Sequence, residues 1–304
     1  GSSRRVWVTI RETLVLLCIA IGLTPAFKMK FWNIGAEGQI LMGGMATAAL
    51  MIYAGDAMPN WLLLILIFIA SAAAGLIWGL IPAVFKAYFN TNETLFTLML
   101  NYVAMQLVTF AIVFLENPSG SNTVGIINAA GQKGWFPSIF GNMYGLNVIV
   151  VLIITLGMYV YMKYSKQGYE IAVVGESQNT ARYAGINVKK VIIRTMMLSG
   201  AICGIAGCLI VSGASHTIST STAGGRGFTA IIVAWMSKFN PFAMILVSAF
   251  LVFMQQGSIQ IASQFGLNEN ASDIITGILL FFLIGCEFFI NYKLEWKKNH
   301  KEGK

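Results

Sequence analysis

Apolar windows recur along the whole chain and predict nine helices of membrane-spanning character, over 6–27, 37–55, 61–85, 94–115, 146–162, 191–212, 226–237, 241–258 and 273–291. Two of them are weak, and each follows a polar, Gly-rich break. The first break lies in "MKFWNIGAEGQILMGG" (29–44), and the span after it is interrupted by Gly38, Gly43 and Gly44. The second is "GASHTISTSTAGGRGF" (213–228), and only about ten apolar residues follow before Lys238, too few to cross a bilayer alone. The same order of long span, break, short span, long span and span occupies 6–115 and 191–291. The last span of each half opens on an acid, Glu93 or Asp273, which suits the positive end of a helix dipole. One transmembrane domain over 1–304 is expected, with repeats at 6–115 and 191–291. Loops at 116–145 and 163–194 and a tail at 292–304 complete it.

Composition fixes the solvent. Of 304 residues, 57% are hydrophobic and 11% charged, where a soluble domain carries about 25% charged residues. Mean hydropathy is +0.72. The chain is therefore expected to be an all-α integral membrane protein. A net charge of +8 raises nucleic acid as a partner, but the placement of the charges removes it. With the carboxyl tail on the cytoplasmic side, the inner loops receive Lys28, Lys30, Lys86, Lys163, Lys166, Arg182, Lys189, Lys190, Arg194, Lys238, Lys293, Lys297, Lys298, Lys301 and Lys304. Only Arg4, Arg5, Arg11, Lys133 and Arg226 fall outside, the bias of a positive-inside topology. Trp7, Trp32, Trp61, Trp135 and Trp296 sit at expected span ends, as interfacial aromatics do. Nine spans leave the amino terminus outside, so a tenth span before residue 1 is expected. In this orientation the two halves start on opposite sides, which makes them inverted repeats with Gly-broken helices.

Broken helices at matching positions of inverted halves point to the binding site of a transporter. Irregular backbone survives at membrane depth only inside protein or beside a wet cavity. Asn33, Glu37 and Gln39 of the first break, Phe228 near the second, and Asn101 on the span 94–115 are the expected substrate-path residues. Alternatives stand beside two of them. Glu37 could be an interfacial loop charge near Lys28 and Lys30, and Asn101 an interhelical hydrogen-bonder. Arg226 is read as an interface anchor, Glu287 as a snorkelling acid, and His216 as an isolated hydrogen-bonder. Cys18, Cys203, Cys208 and Cys286 lie in apolar runs without metal-ligand spacing. No GxxxxGK[ST] or HExxH motif occurs, so neither P-loop nor zincin chemistry belongs to this chain. No cofactor or metal is expected.

The loop 163–194 contains "SQNTARYAGINVKK" (177–190), which predicts a short helix capped by Ser177 or Asn179 and stopped at Gly185. Composition alone reads it as a basic interfacial helix. "FWNIGAEGQILMGG" (31–44), "NETLFTLMLNYVA" (92–104), "GYEIAVVGESQNTARYAGINVKKVIIRTMMLSGAICGIAG" (168–207) and "GRGFTAIIVAWMSKFNP" (225–241) together resemble the permease subunits of bacterial nucleoside ABC importers. These form a branch of the group that also handles ribose and branched-chain amino acids. The sequence departs from that pattern at Trp32 and at Ser237, Lys238 and Phe239, where relatives keep a small Gly-containing loop.

The resemblance implies a ten-span permease in the bacterial cytoplasmic membrane, working beside a second related permease. A cytoplasmic ATPase that binds ATP and Mg²⁺ would drive it, and a lipid-anchored or periplasmic binding protein would deliver substrate. It implies that Arg182, Tyr183, Ala184, Gly185, Ile186 and Asn187 belong to a coupling helix seated on the ATPase. A nucleoside would ask for an aromatic face and donor–acceptor side chains. A sugar or branched-chain amino acid permease, or a stand-alone gradient-driven transporter, is the competing expectation.

Overall fold

The computed structural model describes residues 3–267 except 117, 119 and 140–142, and beyond them only 271, 274–278, 281–282 and 285–286. Among the described residues the chain is helical, with no β-strand. The helices are α1 (Ser3–Lys28), α2 (Ala36–Ala54), α3 (Asn60–Phe89), α4 (Glu93–Leu115), α5 (Gly145–Tyr164), α6 (Lys166–Glu176), α7 (Gln178–Tyr183), α8 (Val188–Ile210), α9 (Arg226–Met236) and α10 (Pro241–Gln264). A π-helical turn, Val211–Ser215, ends α8.

Among the described residues, six segments are long and apolar enough to cross a membrane: α1 from Arg5, α3, α4, α5, α8 with its π turn, and α10. The expected spans 37–55 and 226–237 do form helices, but neither qualifies. The 19-residue α2 opens on Glu37 and Gln39 and holds three glycines, and α9 has only 11 residues. The expected ninth span, 273–291, and the tail with Lys293–Lys304 lie largely outside the described residues, as does Glu287. The loop expected over 163–194 is mostly helix, because Ser165, Ser177 and Asn187 each cap a new start. Their side-chain oxygens accept from the N–H groups of Gly168, Thr180 and Lys190 at 2.9, 3.2 and 3.1 Å.

The chain divides into two compact units, residues 1–249 and 250–304. In the first, α8 is the central helix. Most of its apolar window is buried, 78%, against 22% for α4 and α5. It packs on α3, α2 and α1, and glycine permits the approach. A Cβ on Gly204 would run into the carbonyl oxygen of Ser71 and lie 3.0 Å from the Cα of Gly75. A Cβ on Gly43 would meet the backbone of Gly204 itself. Helices without a hydrophobic driving force between them associate through such small-residue faces. In the second unit, the carboxyl part of α10 brings Ser258 within 2.9 Å of the Thr276 hydroxyl.

Within 116–145, expected as an external loop, residues 127–136 fold back on the bundle. Asn128 donates to the carbonyls of Met51 and Lys133, and Gly134 N–H donates to Asn60. Phe136 stacks on Phe68, and Ile127 N–H donates to the carbonyl of His216. Trp135 lies parallel to the His216 ring, with centroids 3.6 Å apart. Burial, and after it the Arg11 charge, lowers the His216 pKa, so a neutral imidazole faces the indole.

Candidate functional site

The first break, residues 29–35, turns the chain from α1 into α2, and its polar groups are tied down. Asn33 is fully buried. Its Oδ1 accepts from Gly35 N–H at 3.0 Å, and its amide donates to Ser199 on α8 at 3.3 Å and to Gln39 at 3.4 Å. Asn101 reaches across from α4. It accepts from Gly38 N–H at 2.8 Å and donates to the Ile34 carbonyl at 2.9 Å. Thr97 accepts from Ile34 N–H at 3.2 Å. A backbone that cannot pair within a helix here has protein partners instead. Asn101 thus makes the interhelical bonds that stood as its alternative. Replacing it with alanine leaves a buried N–H and a buried carbonyl unpaired, and should cost about 3 kcal/mol, read as a lowered unfolding temperature in detergent.

The second break, residues 216–225, ends in two left-handed glycines, Gly224 and Gly225, before α9. Here the two breaks meet. Glu37, buried at 3% exposure, accepts from Gly227 N–H at 2.7 Å, so a carboxylate from the start of α2 caps the start of α9. The orphan N–H groups of a helix start favour such an anion. Glu37 is therefore not a solvated interfacial charge.

Arg226, one residue earlier, turns to α1. Its Nε and Nη2 donate to Glu12 at 3.0 and 2.8 Å, and Glu12 also pairs with Arg11 at 2.5 Å. Both donors meet one oxygen, Oε2, so Arg226 is held in an ion pair with Glu12 and is not merely an interface anchor. Glu12 was invisible as a site residue because it lies inside an apolar run, 214 positions from its partner.

Phe228 is 42% exposed beside this junction. Further along α9, Trp235 stacks on Trp32 of the first break at 5.3 Å and 14°, and both remain about as exposed as Phe228. Phe27 and Phe239 pack edge-on against the pair. Asn33, Glu37, Gln39 and Asn101 thus form one buried knot, and the open face beside it is aromatic. The sequence had marked Trp32 as an interfacial aromatic and as a departure from the family pattern, but not as part of a stack.

At the other end of the first break, Met29 and Phe31 join a buried cluster with Ile171 and Val174 of α6, Ala181 of α7, and Val188, Val191 and Met196 of α8. Ala181 is the buried residue of α7. Arg182, Tyr183, Ala184, Gly185 and Asn187 face outward, with Tyr183 94% exposed, and Ile186 packs partly on the cluster. Gly185 takes a φ of +75°, which ends the helix. Among the described residues, no group of three metal-ligating side chains forms.

Six helices long and apolar enough to cross a membrane, with two broken segments joined through a buried carboxyl group, mark a multi-pass membrane protein. The family described as the permease component of branched-chain amino acid transport systems matches residues 8–284. The chain belongs to that family. It is similar to the guanosine ABC transporter permease protein of Bacillus subtilis, 30% identical over 90% of this chain and 79% of the relative. The glucose ABC transporter permease protein of Haloferax volcanii is 28% identical over 92% and 76%. The nucleoside ABC transporter permease protein of Lactococcus lactis is 26% identical over 97% and 82%. No solved structure matches the chain significantly.

Proposed function

We propose that this chain is the permease subunit of an ATP-driven importer and carries nucleosides across the bacterial cytoplasmic membrane by alternating access. The observation that carries the reading is the junction of the two breaks, where Glu37 holds the start of α9. An 11-residue helix rises roughly 16 Å, about half of a ~30 Å hydrocarbon core. If Lys238 marks the inner surface, the junction falls near mid-bilayer, where transporters of inverted design place their sites. The matching positions of the two breaks support the finer architecture of two inverted repeats over 6–115 and 191–291, each with one helix, α2 or α9, that does not make a full crossing. Lys28, Lys163 and Lys238 lie around one cavity, which supports a single inner face carrying them and a cytoplasmic carboxyl terminus.

For substrate, Phe228 and the exposed Trp32–Trp235 stack offer aromatic faces to a base, and Asn33, Glu37, Gln39 and Asn101 form the polar hinge beside it. Nucleoside and guanosine permeases among the relatives favour this substrate over a sugar or amino acid. ATP hydrolysis, with ATP and Mg²⁺, resides on a separate cytoplasmic ATPase, and this subunit holds no cofactor. A second related permease and an external binding protein complete the importer. Residues Arg182–Asn187 seat on the ATPase, supported by the exposure of Tyr183 and the burial of Ala181.

The test is uptake of labelled guanosine or uridine into liposomes that contain this chain with its ATPase, partner permease and binding protein. Uptake should require ATP. Uptake driven by a proton or sodium gradient through the chain alone would overturn the importer reading. In the same system, replacing Arg182–Ile186 with Gly and Ser should abolish transport-coupled ATP hydrolysis while expression persists. Unchanged coupling would remove that assignment.

A further inference from the structure

A cavity of about 530 Å³ opens between the end of α1, the end of α5 and the α9–α10 connection, away from the junction of the breaks. Three lysines line it, one from each element: Lys28, Lys163 and Lys238. No carboxylate lines it, and among the described residues none of the three lysines is in an ion pair. The rest of its wall is largely apolar, with Met158, Met162 and Phe242 among the lining residues. Above it, α5 exposes Ile153, Leu156 and Val160 toward the surroundings. Three ammonium groups without a carboxylate partner around one small space repel each other, and an anion joining them would relieve that repulsion.

The connection is also built at a conformational cost. Lys238 and Phe239, adjacent and neither glycine, take φ of +47° and +60°. That left-handed region favours glycine, and here it forms the turn that ends α9, with Phe239 N–H donating to the Ala234 carbonyl and Lys238 N–H to that of Trp235. The turn places Lys238 and Phe239 in the cavity wall. Lys163 is positioned as well, its Nζ 3.0 Å from the Tyr159 hydroxyl.

We propose that this cavity is a binding site for the phosphate headgroup of an anionic phospholipid, with the acyl chains lying along the exposed apolar face of α5. Lys28, Lys163 and Lys238 hold the phosphate oxygens as charge-assisted donors. The apolar wall takes the glycerol and upper acyl carbons, a division of labour that a soluble phosphate does not use. Anionic lipid concentrates in the cytoplasmic leaflet, the side assigned to these lysines by the topology proposed above.

The full chain would be placed in nanodiscs of phosphatidylcholine with or without phosphatidylglycerol, and its thermal unfolding followed. Phosphatidylglycerol should raise the midpoint by several degrees, and the triple variant Lys28→Gln, Lys163→Gln, Lys238→Gln should lose most of that gain. Lys238→Gly guards against a folding artefact. It should be more stable than the parent in pure phosphatidylcholine, because glycine relieves the left-handed φ, yet gain less from phosphatidylglycerol. An undiminished gain in either variant would overturn the proposal. So would an equal gain from inorganic phosphate in phosphatidylcholine, which would make this a free-anion site. A gain that follows dimerisation by light scattering, and not headgroup charge, would assign the cavity to a second copy and also overturn it.

Discussion

Substituting valine for Gly204 is expected to prevent assembly of the helix bundle, seen as loss of the monodisperse peak when the detergent-solubilised protein is sized. The new side chain would be driven into the backbone of α3 at Ser71 and Gly75. A flexible neighbour could rotate away, but a helix backbone cannot. Overpacking a core typically costs about 1–3 kcal/mol, and this contact belongs at or beyond the upper end because α2 presses on the same residue from Gly43. Ala in place of Gly157 on α5 is the control. Nothing lies within 4 Å of its added Cβ, so the change should be neutral or gain the roughly 1 kcal/mol of helix propensity.

The second large effect falls on the Glu12–Arg226 pair. Arg226→Ala leaves a carboxylate with 13% side-chain exposure to Arg11 alone, and frees the start of α9 from α1. Breaking one side of a buried ion pair costs about 3–5 kcal/mol, and the lower figure applies because Arg11 remains. Uptake should fall to background while some folded protein survives. The exchange Glu12→Arg with Arg226→Glu should restore part of the uptake. Failure of the exchange, with the single variants fully active, would make the pair a mere surface contact.

The helical course of the chain was legible because lipid as solvent demands long apolar runs, so α3, α4, α5 and α10 fall close to their expected windows. The two helices after the breaks were legible as anomalies, since their glycines and polar starts are local features. What those polar groups touch was not legible. Glu37 could be singled out as an acid among apolar residues, but its partner is 190 positions away, and no periodicity encodes that distance. Glu12 shows the converse. A single acid within a long apolar window barely alters the pattern, so its pairing with Arg226 left no trace. The helix α6 was hidden by its charges, which read as a basic loop until Arg194 was seen to pair with Glu170 at 3.0 Å. Trp32 read as an interfacial anchor and Trp235 as one more residue of the apolar span 226–237, and only the fold stacks one on the other.

Close-packed hydrocarbon is nearly incompressible, and here one such block spans two very different places. Ala181 belongs to the small helix that turns Tyr183 outward, and Phe31 stands two residues before the buried amide of Asn33. A push on the protruding knob therefore has no soft layer in which to dissipate before it reaches the snapped segment. Under the coupling role proposed above, the two ends would act as a piston and its seat.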